Sequence, residues 1–168
     1  MRAEYVLSTL IIFAAIVIQS TILRYVSFQG ITPDIALICL VFISLRKGSQ
    51  VGQVNGFIGG ILEDFLSLAP LGFHAFLKTT IGFLYGLLKG AVIVDPIFVP
   101  ILMVSVSTFI KTIISGFLIV LLNLDITVSG LFQYGFFLEL GFNAILTPFL
   151  FALLGLVPIY KKTRQEGL

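Results

Sequence analysis

Six charged residues lie inside or at the ends of apolar segments of this chain, where a charge is costly unless it is paired or hydrated. Buried acid–base pairs of this kind can relay protons or bind a polar substrate, and they can also stabilise helix packing without doing any chemistry. The residue types alone leave these interpretations open. The six residues are Asp34, Glu63, Asp64, Lys78, Lys111 and Glu139.

The chain carries no pattern typical of a catalytic or metal site. It has one histidine, His74, and one cysteine, Cys39, so a Cys/His cluster or an internal disulfide cannot form. Metalloprotease, lipase and phosphate-loop motifs do not occur. We therefore expect no enzyme, no catalytic residue, no metal and no cofactor, and no feature of the sequence indicates nucleic-acid binding.

The elements that position these charges are predicted to be membrane helices. The composition is 58% hydrophobic and 11% charged, against roughly 25% charged residues in an ordinary soluble domain. A transmembrane helix needs about 20 mostly apolar residues, and the sequence predicts a single all-α domain over residues 1–168 with six such helices. They are expected near 5–23, 33–45, 50–69, 72–89, 97–123 and 130–157.

The positions of lysine and arginine predict the orientation, because these residues are retained on the cytoplasmic side of short loops. With both termini inside, Arg24 is the one such residue expected in an outer loop. The basic tail, residues 160–168, is interpreted as an anchor at the lipid headgroups, with docking of a cytoplasmic partner as the alternative. The cations placed inside are Arg2, Arg46, Lys47, Lys89, Lys161, Lys162 and Arg164. This predicts a multi-pass membrane protein with both termini in the cytoplasm.

Glycines recur at every fourth position in the third and fourth predicted helices. In lipid, small residues at this spacing let two helix backbones approach closely. We expect the two helices to form a close antiparallel pair joined by the turn at 68–72. The glycines predicted to make the contact are Gly52, Gly56, Gly60, Gly82 and Gly86.

In an antiparallel helix pair, residues at equal distance in sequence from the middle of the turn lie at equal depth. With Leu71 as that middle, Asp64 lies at the same depth as Lys78. An ion pair between them is predicted, either to fix the register or to leave one group for a partner or ligand. Glu63 lies about 100° away around the helix, so it is expected at the outer interface or beside His74.

A mirror about Thr127 relates the last two helices in the same way. It sets Lys111 opposite Asn143 and about one turn from Glu139, and Lys111 and Glu139 form the second predicted pair. Two such pairs are compatible with a proton relay, a substrate site or stable packing alone.

The second predicted helix opens with Thr32 as N-cap, Pro33 at the first helical position and Asp34 near the positive end of the helix dipole. Asp34, together with Glu63 and His74, is a candidate for a partner or ligand surface on the outer face.

Residues 31–90 resemble the MreD family of the bacterial rod-shape machinery. The resemblance lies in Pro33-Asp34 at a helix start, a Gly-x3-Gly ladder that ends in an acidic residue, and Leu71-Gly72 before a second glycine-spaced helix. It implies a non-enzymatic scaffold of the bacterial cytoplasmic membrane, surrounded by membrane lipid, that associates with MreC. It also implies support for peptidoglycan synthesis by RodA and a class B penicillin-binding transpeptidase, with MreB filaments as an indirect partner.

The overall design is also similar to the S components of energy-coupling-factor transporters, which bind vitamins. This gives a second hypothesis of a different class, a substrate-binding transport component. The very short outer loops argue against it, whereas a remnant pocket lined by Asp34, Glu63, Asp64 and His74 would suit it.

Overall fold

The computed structural model describes residues 2–25, 27–67, 69–90, 97–124 and 132–160. These residues form six α-helices and one short 3-10 helix and contain no β-strand, so the chain is all-helical as the composition predicts. The basic tail from 161 onwards and the turn predicted about Thr127 lie outside the described residues, as do the side chains of Arg2 and Arg24. The helices are α1 (Arg2–Tyr25), α2 (Ile35–Lys47), α3 (Ser49–Leu66), α4 (Phe73–Leu87), α5 (Phe98–Leu121) and α6 (Tyr134–Gly155), and the 3-10 helix is Pro158–Tyr160.

Three of the helices are long and apolar enough to cross a membrane: α1 over Glu4–Leu23, α5 and α6. The other three are shorter or more polar. With 13 and 15 residues, α2 and α4 extend roughly 20 and 23 Å at 1.5 Å per residue, less than the hydrocarbon core of about 30 Å. The 18 residues of α3 include four glycines and three amide side chains.

The centre of the molecule is α2, which contacts all five other helices. Its residues 36–44 are buried without interruption, as expected for a helix that is apolar on every side. Its N-cap is Asp34, whose carboxylate accepts the N–H of Leu37 at 2.9 Å. The predicted N-cap at Thr32 is therefore wrong, because the Asp34 carboxylate accepts the Leu37 N–H at the start of α2. Pro33 lies before the helix and not at its first position.

The most extensive helix contact joins α3 to α4 through the predicted glycines. A Cβ atom added at any of them would come within 3.0 Å of backbone atoms of the opposite helix, a separation that real Cβ atoms essentially never show. We call this interface the glycine contact. Its members are Gly52, Gly56 and Gly60 on α3 and Gly82 and Gly86 on α4.

The register of the glycine contact differs from the mirror about Leu71. Gly52 faces Gly82, and Gly56 faces the backbone of Lys78, so the mirror point lies at Ser67. Gly60 contacts the backbone of Ala75, near the start of α4, although α3 has six more residues to run. The last turn of α3 therefore extends beyond the first residues of α4.

The helices alternate in direction, so that one end of the molecule holds the start of α2 and α4 and the end of α3. We call it the Asp34 end. At the opposite end, Lys47 pairs with Glu4 at 2.8 Å, and the hydroxyls of Ser8 and Tyr160 are 2.8 Å apart. Burial raises the pKa of the Tyr160 hydroxyl, while its hydrogen bond with Ser8 acts in the opposite direction. These contacts join α1 to α2 and to the 3-10 helix.

Candidate functional site

Five charged side chains, four from helices α3 to α6 and one from the N-cap of α2, form one connected group, which we call the charge cluster. Asp34 is at its centre: its Oδ2 lies 2.9 Å from Nζ of Lys111, and its Oδ1 lies 3.7 Å from Nζ of Lys78. Lys78 also pairs with Glu63, and Lys111 also pairs with Glu139. The cluster therefore connects the start of α2 with α3, α4, α5 and α6.

The directions of the helices explain how Lys78 and Glu63 meet. A helical side chain leans towards the N-terminus of its own helix. Because α4 starts at the Asp34 end, Lys78 leans towards that end, whereas Glu63 near the end of α3 leans back into the molecule. The two side chains converge, although the backbone of Lys78 lies at the depth of Gly56.

Asp64 does not pair with Lys78 but caps α4. Its carboxylate oxygens accept the backbone N–H groups of Gly72 and His74, each at 2.8 Å, and of Ala75 at 3.3 Å. The first N–H groups of a helix have no partner within it, and Gly72, the N-cap residue, makes no side-chain cap bond. Asp64 supplies the missing acceptor from the neighbouring helix, where its charge also interacts favourably with the helix dipole.

The predicted Asp64–Lys78 pair is therefore wrong, for two reasons. The register of the glycine contact moves Lys78 about two turns away from the predicted depth, and the start of α4 already uses the carboxylate. Glu63, which the sequence places at the outer interface or beside His74, is the partner of Lys78, and its position relative to the membrane interface stays a prediction. His74 instead contacts Asp64, with 2.9 Å between Nδ1 and Oδ1.

On the other side of the cluster, Lys111 lies between Asp34 and Glu139. Asn143, which the sequence placed opposite Lys111, has other contacts. Its Oδ1 accepts the backbone N–H of Asp34 at 2.8 Å, and its Nδ2 donates to Thr108 Oγ1 at 3.0 Å. Asn143 thus fixes the start of α2 against α5 and α6.

The side chains of the cluster become more exposed from the Lys78 side to the Lys111 side. The side chain of Lys78 is 2% exposed and that of Asp34 is 8% exposed, whereas Lys111 and Glu139 are 22% and 20% exposed. Removing one partner of a buried pair typically costs about 3–5 kcal/mol, because the other charge is left uncompensated. The three carboxylates exceed the two ammonium groups by one, so the cluster carries a formal charge of −1.

A cavity of about 630 Å³ lies beside the cluster. Asp34, Glu63 and Lys111 form part of its lining, and His74 forms another part. Among the residues that the structure describes, no group of three or more His, Cys, Asp or Glu side chains is arranged to hold a metal ion. The remaining lining residues are Ile16, Gln19, Ser20, Ser27, Gly30, Thr32, Leu66 and Ser67.

The sequence did not predict that Asp34 joins both lysines. A signal for it was present, because the alternation of the helices places all five cluster residues within about ten positions of a helix end on the same side. The sequence pattern places Asp34 at the helix dipole and matches each lysine only within its own hairpin. Contacts between hairpins do not follow from such matching.

Comparison with known families supports the resemblance seen in residues 31–90. The family model of the rod shape-determining protein MreD matches residues 1–157 of this chain. Comparisons with curated proteins and with solved structures found no match. Because the family match extends over nearly the whole sequence, the chain belongs to the MreD family of rod shape-determining membrane proteins.

Proposed function

We propose that this protein is a non-enzymatic scaffold of the cell-elongation machinery in the bacterial cytoplasmic membrane. It associates with MreC and supports peptidoglycan synthesis by RodA and a class B penicillin-binding transpeptidase, and MreB filaments are an indirect partner. The family match over residues 1–157 carries the proposal, because it supports a role in rod-shape determination. The named partners follow from the family resemblance.

Depletion in a rod-shaped host separates this function from vitamin transport. Loss of a scaffold for wall synthesis is expected to give rounded, swollen cells at an unchanged vitamin supply, and the intact gene restores rods. A transport component would instead give normal shape and an auxotrophy that the vitamin cures. The family match favours the scaffold, and the similarity in overall design to S components stays a prediction.

We propose that all six helices lie within the bilayer, with both termini in the cytoplasm. The short helix α2 suits this placement, because its continuous burial shields it from lipid. A cysteine at Ser67, in the exposed turn after α3, is expected to react with a membrane-impermeant thiol reagent in intact cells of a Cys39→Ser background. A cysteine at Thr163 is expected to react only after lysis, and the opposite pattern would reverse the orientation.

The surface proposed to receive MreC is the outer end of the α3–α4 hairpin. Apolar side chains there are strongly exposed, among them Phe65 and Leu71, and Phe76 is half-exposed. Asp34 is buried, so it supports this surface from beneath rather than touching a partner. The charge cluster and the Asp64 cap hold the hairpin end in place.

Matched substitutions at two depths test this surface. Phe76 and Phe83 are seven residues apart on α4, so they lie within about 20° of each other around the helix, and both side chains are exposed. Phe76→Ala is expected to lower co-purification of MreC several-fold at equal membrane level, whereas Phe83→Ala leaves it unchanged. Phe65→Ala and Ile58→Ala form a second such pair on α3. Unchanged MreC recovery with both outer variants would place the MreC surface elsewhere.

A further inference from the structure

The cavity beside the charge cluster has the size of a ligand site. Its volume of about 630 Å³ lies within the range of about 300–1,000 Å³ typical of small-molecule pockets. Its lining combines charged side chains of the cluster with hydroxyl groups of Ser20, Ser27 and Thr32.

The charges around the cavity favour a cation. Each lysine of the cluster already contacts two carboxylates, Lys78 through Glu63 and Asp34, and Lys111 through Asp34 and Glu139. An anionic ligand would therefore meet lysines whose charge is already compensated, together with an excess of carboxylates. A cation would bring the formal charge of the cluster from −1 to zero.

We propose that this cavity binds a primary ammonium group, carried by a free small amine or by the ethanolamine headgroup of a lipid. A primary ammonium has three N–H donors and no acceptor. The carboxylate of Glu63, which contacts one lysine, and the hydroxyl oxygens of Ser20 and Thr32 supply acceptors on the lining. This binding is separate from the association with MreC and does not depend on it.

Two neighbouring residues of α1 provide a matched pair of variants. Ser20 lines the cavity and Thr21 is not among its lining residues, yet both are exposed and both donate a hydroxyl to the carbonyl of Val17. Ser20→Phe is expected to occupy part of the cavity and obstruct binding there without touching the charge cluster. Thr21→Phe adds the same ring outside the cavity and controls for effects on folding and lipid contact.

For a free amine, the probe is ethylammonium chloride, a singly charged primary amine, added to the purified protein in detergent. Sodium chloride and tetramethylammonium chloride, a cation of equal charge without N–H donors, are the reference salts at equal concentration. We expect ethylammonium alone to raise the midpoint of thermal unfolding of the wild type and of Thr21→Phe, with no rise for Ser20→Phe. Glu63→Gln removes one carboxylate charge and is expected to weaken ethylammonium binding about tenfold.

For a lipid source, the same proteins are placed in nanodiscs of phosphatidylethanolamine or of phosphatidylcholine, which lacks N–H donors. Greater stability in phosphatidylethanolamine for the wild type and Thr21→Phe, but not for Ser20→Phe, identifies the headgroup as the ligand. A response to ethylammonium only identifies a free amine, and a response to both supports the shared chemistry. If neither probe acts, or if Ser20→Phe responds as Thr21→Phe does, the cavity is only hydrated and the proposal is overturned.

Discussion

Two regions of the α3–α4 hairpin hold it together by opposite means. In the glycine contact, Gly52, Gly56 and Gly82 bring the two backbones together with no side chain between them. At the Asp34 end, Lys78 and Glu63 reach across the hairpin with long charged side chains. The glycine contact leaves no room for an added Cβ atom, whereas the charge cluster depends on ion pairs between long side chains.

The comparison indicates that the glycine contact sets the register of the hairpin and that the ion pairs of the charge cluster follow from it. Backbone contact sets the relative depth of α3 and α4, because helix backbones cannot adjust their positions locally. Flexible charged side chains then find the partners within their reach. With the mirror point at Ser67, the backbone of Lys78 lies about two helical turns further from the Asp34 end than Asp64 does. The Lys78 side chain therefore pairs with Glu63 and Asp34.

The largest effect is expected at the centre of the charge cluster. Asp34→Ala leaves Lys78 and Lys111 with one carboxylate each and removes the N-cap of α2. We expect a loss of about 2–4 kcal/mol in the free energy of unfolding, from the lost cap and the lost hydrogen bond to the Lys111 ammonium, measured by reversible unfolding in mixed micelles. Asp34→Asn keeps a capping oxygen, so it is expected to be about 1 kcal/mol more stable than Asp34→Ala and still less stable than the wild type. Wild-type stability in Asp34→Asn would show that the charge of Asp34 is unimportant.

A single added methyl group tests the glycine contact. Gly56→Ala places a Cβ against the backbone of Lys78 and Thr79, and we expect a loss of about 1–3 kcal/mol from the forced separation. Gly141→Ala on α6 is the control, because a Cβ there meets nothing within 4 Å. It is expected to be neutral or to stabilise by up to about 1 kcal/mol through helix propensity. Equal effects of the two substitutions would remove the special role of the contact.

A smaller and more local effect is expected at the cap of α4. Asp64→Asn keeps an acceptor oxygen but loses the charge beside the helix start, which is expected to cost about 1 kcal/mol. Hydrogen exchange is expected to quicken at the amides of Gly72, His74 and Ala75, which Asp64 binds. Exchange that stays slow at these three amides, or quickens at Lys78 instead, would refute the cap.

Sequence spacing predicted the glycine contact because small residues at every fourth position allow two helix backbones to approach closely in lipid. It could not give the register, because that depends on how far α3 continues beyond the start of α4. The cluster was harder to predict, because a lysine side chain reaches several candidate carboxylates. Only the packing of α2 in the centre brings Asp34 between Lys78 and Lys111.

Two double-mutant cycles test most directly the assignment of Lys78 to the charge cluster and of Asp64 to the helix cap. One combines Lys78→Met with Glu63→Gln, and the other combines Lys78→Met with Asp64→Asn, each measured as a free energy of unfolding. The structure predicts a coupling energy of about 0.5–3 kcal/mol between Lys78 and Glu63 and a value near zero between Lys78 and Asp64. Strong coupling of Lys78 to Asp64, with none to Glu63, would contradict this assignment.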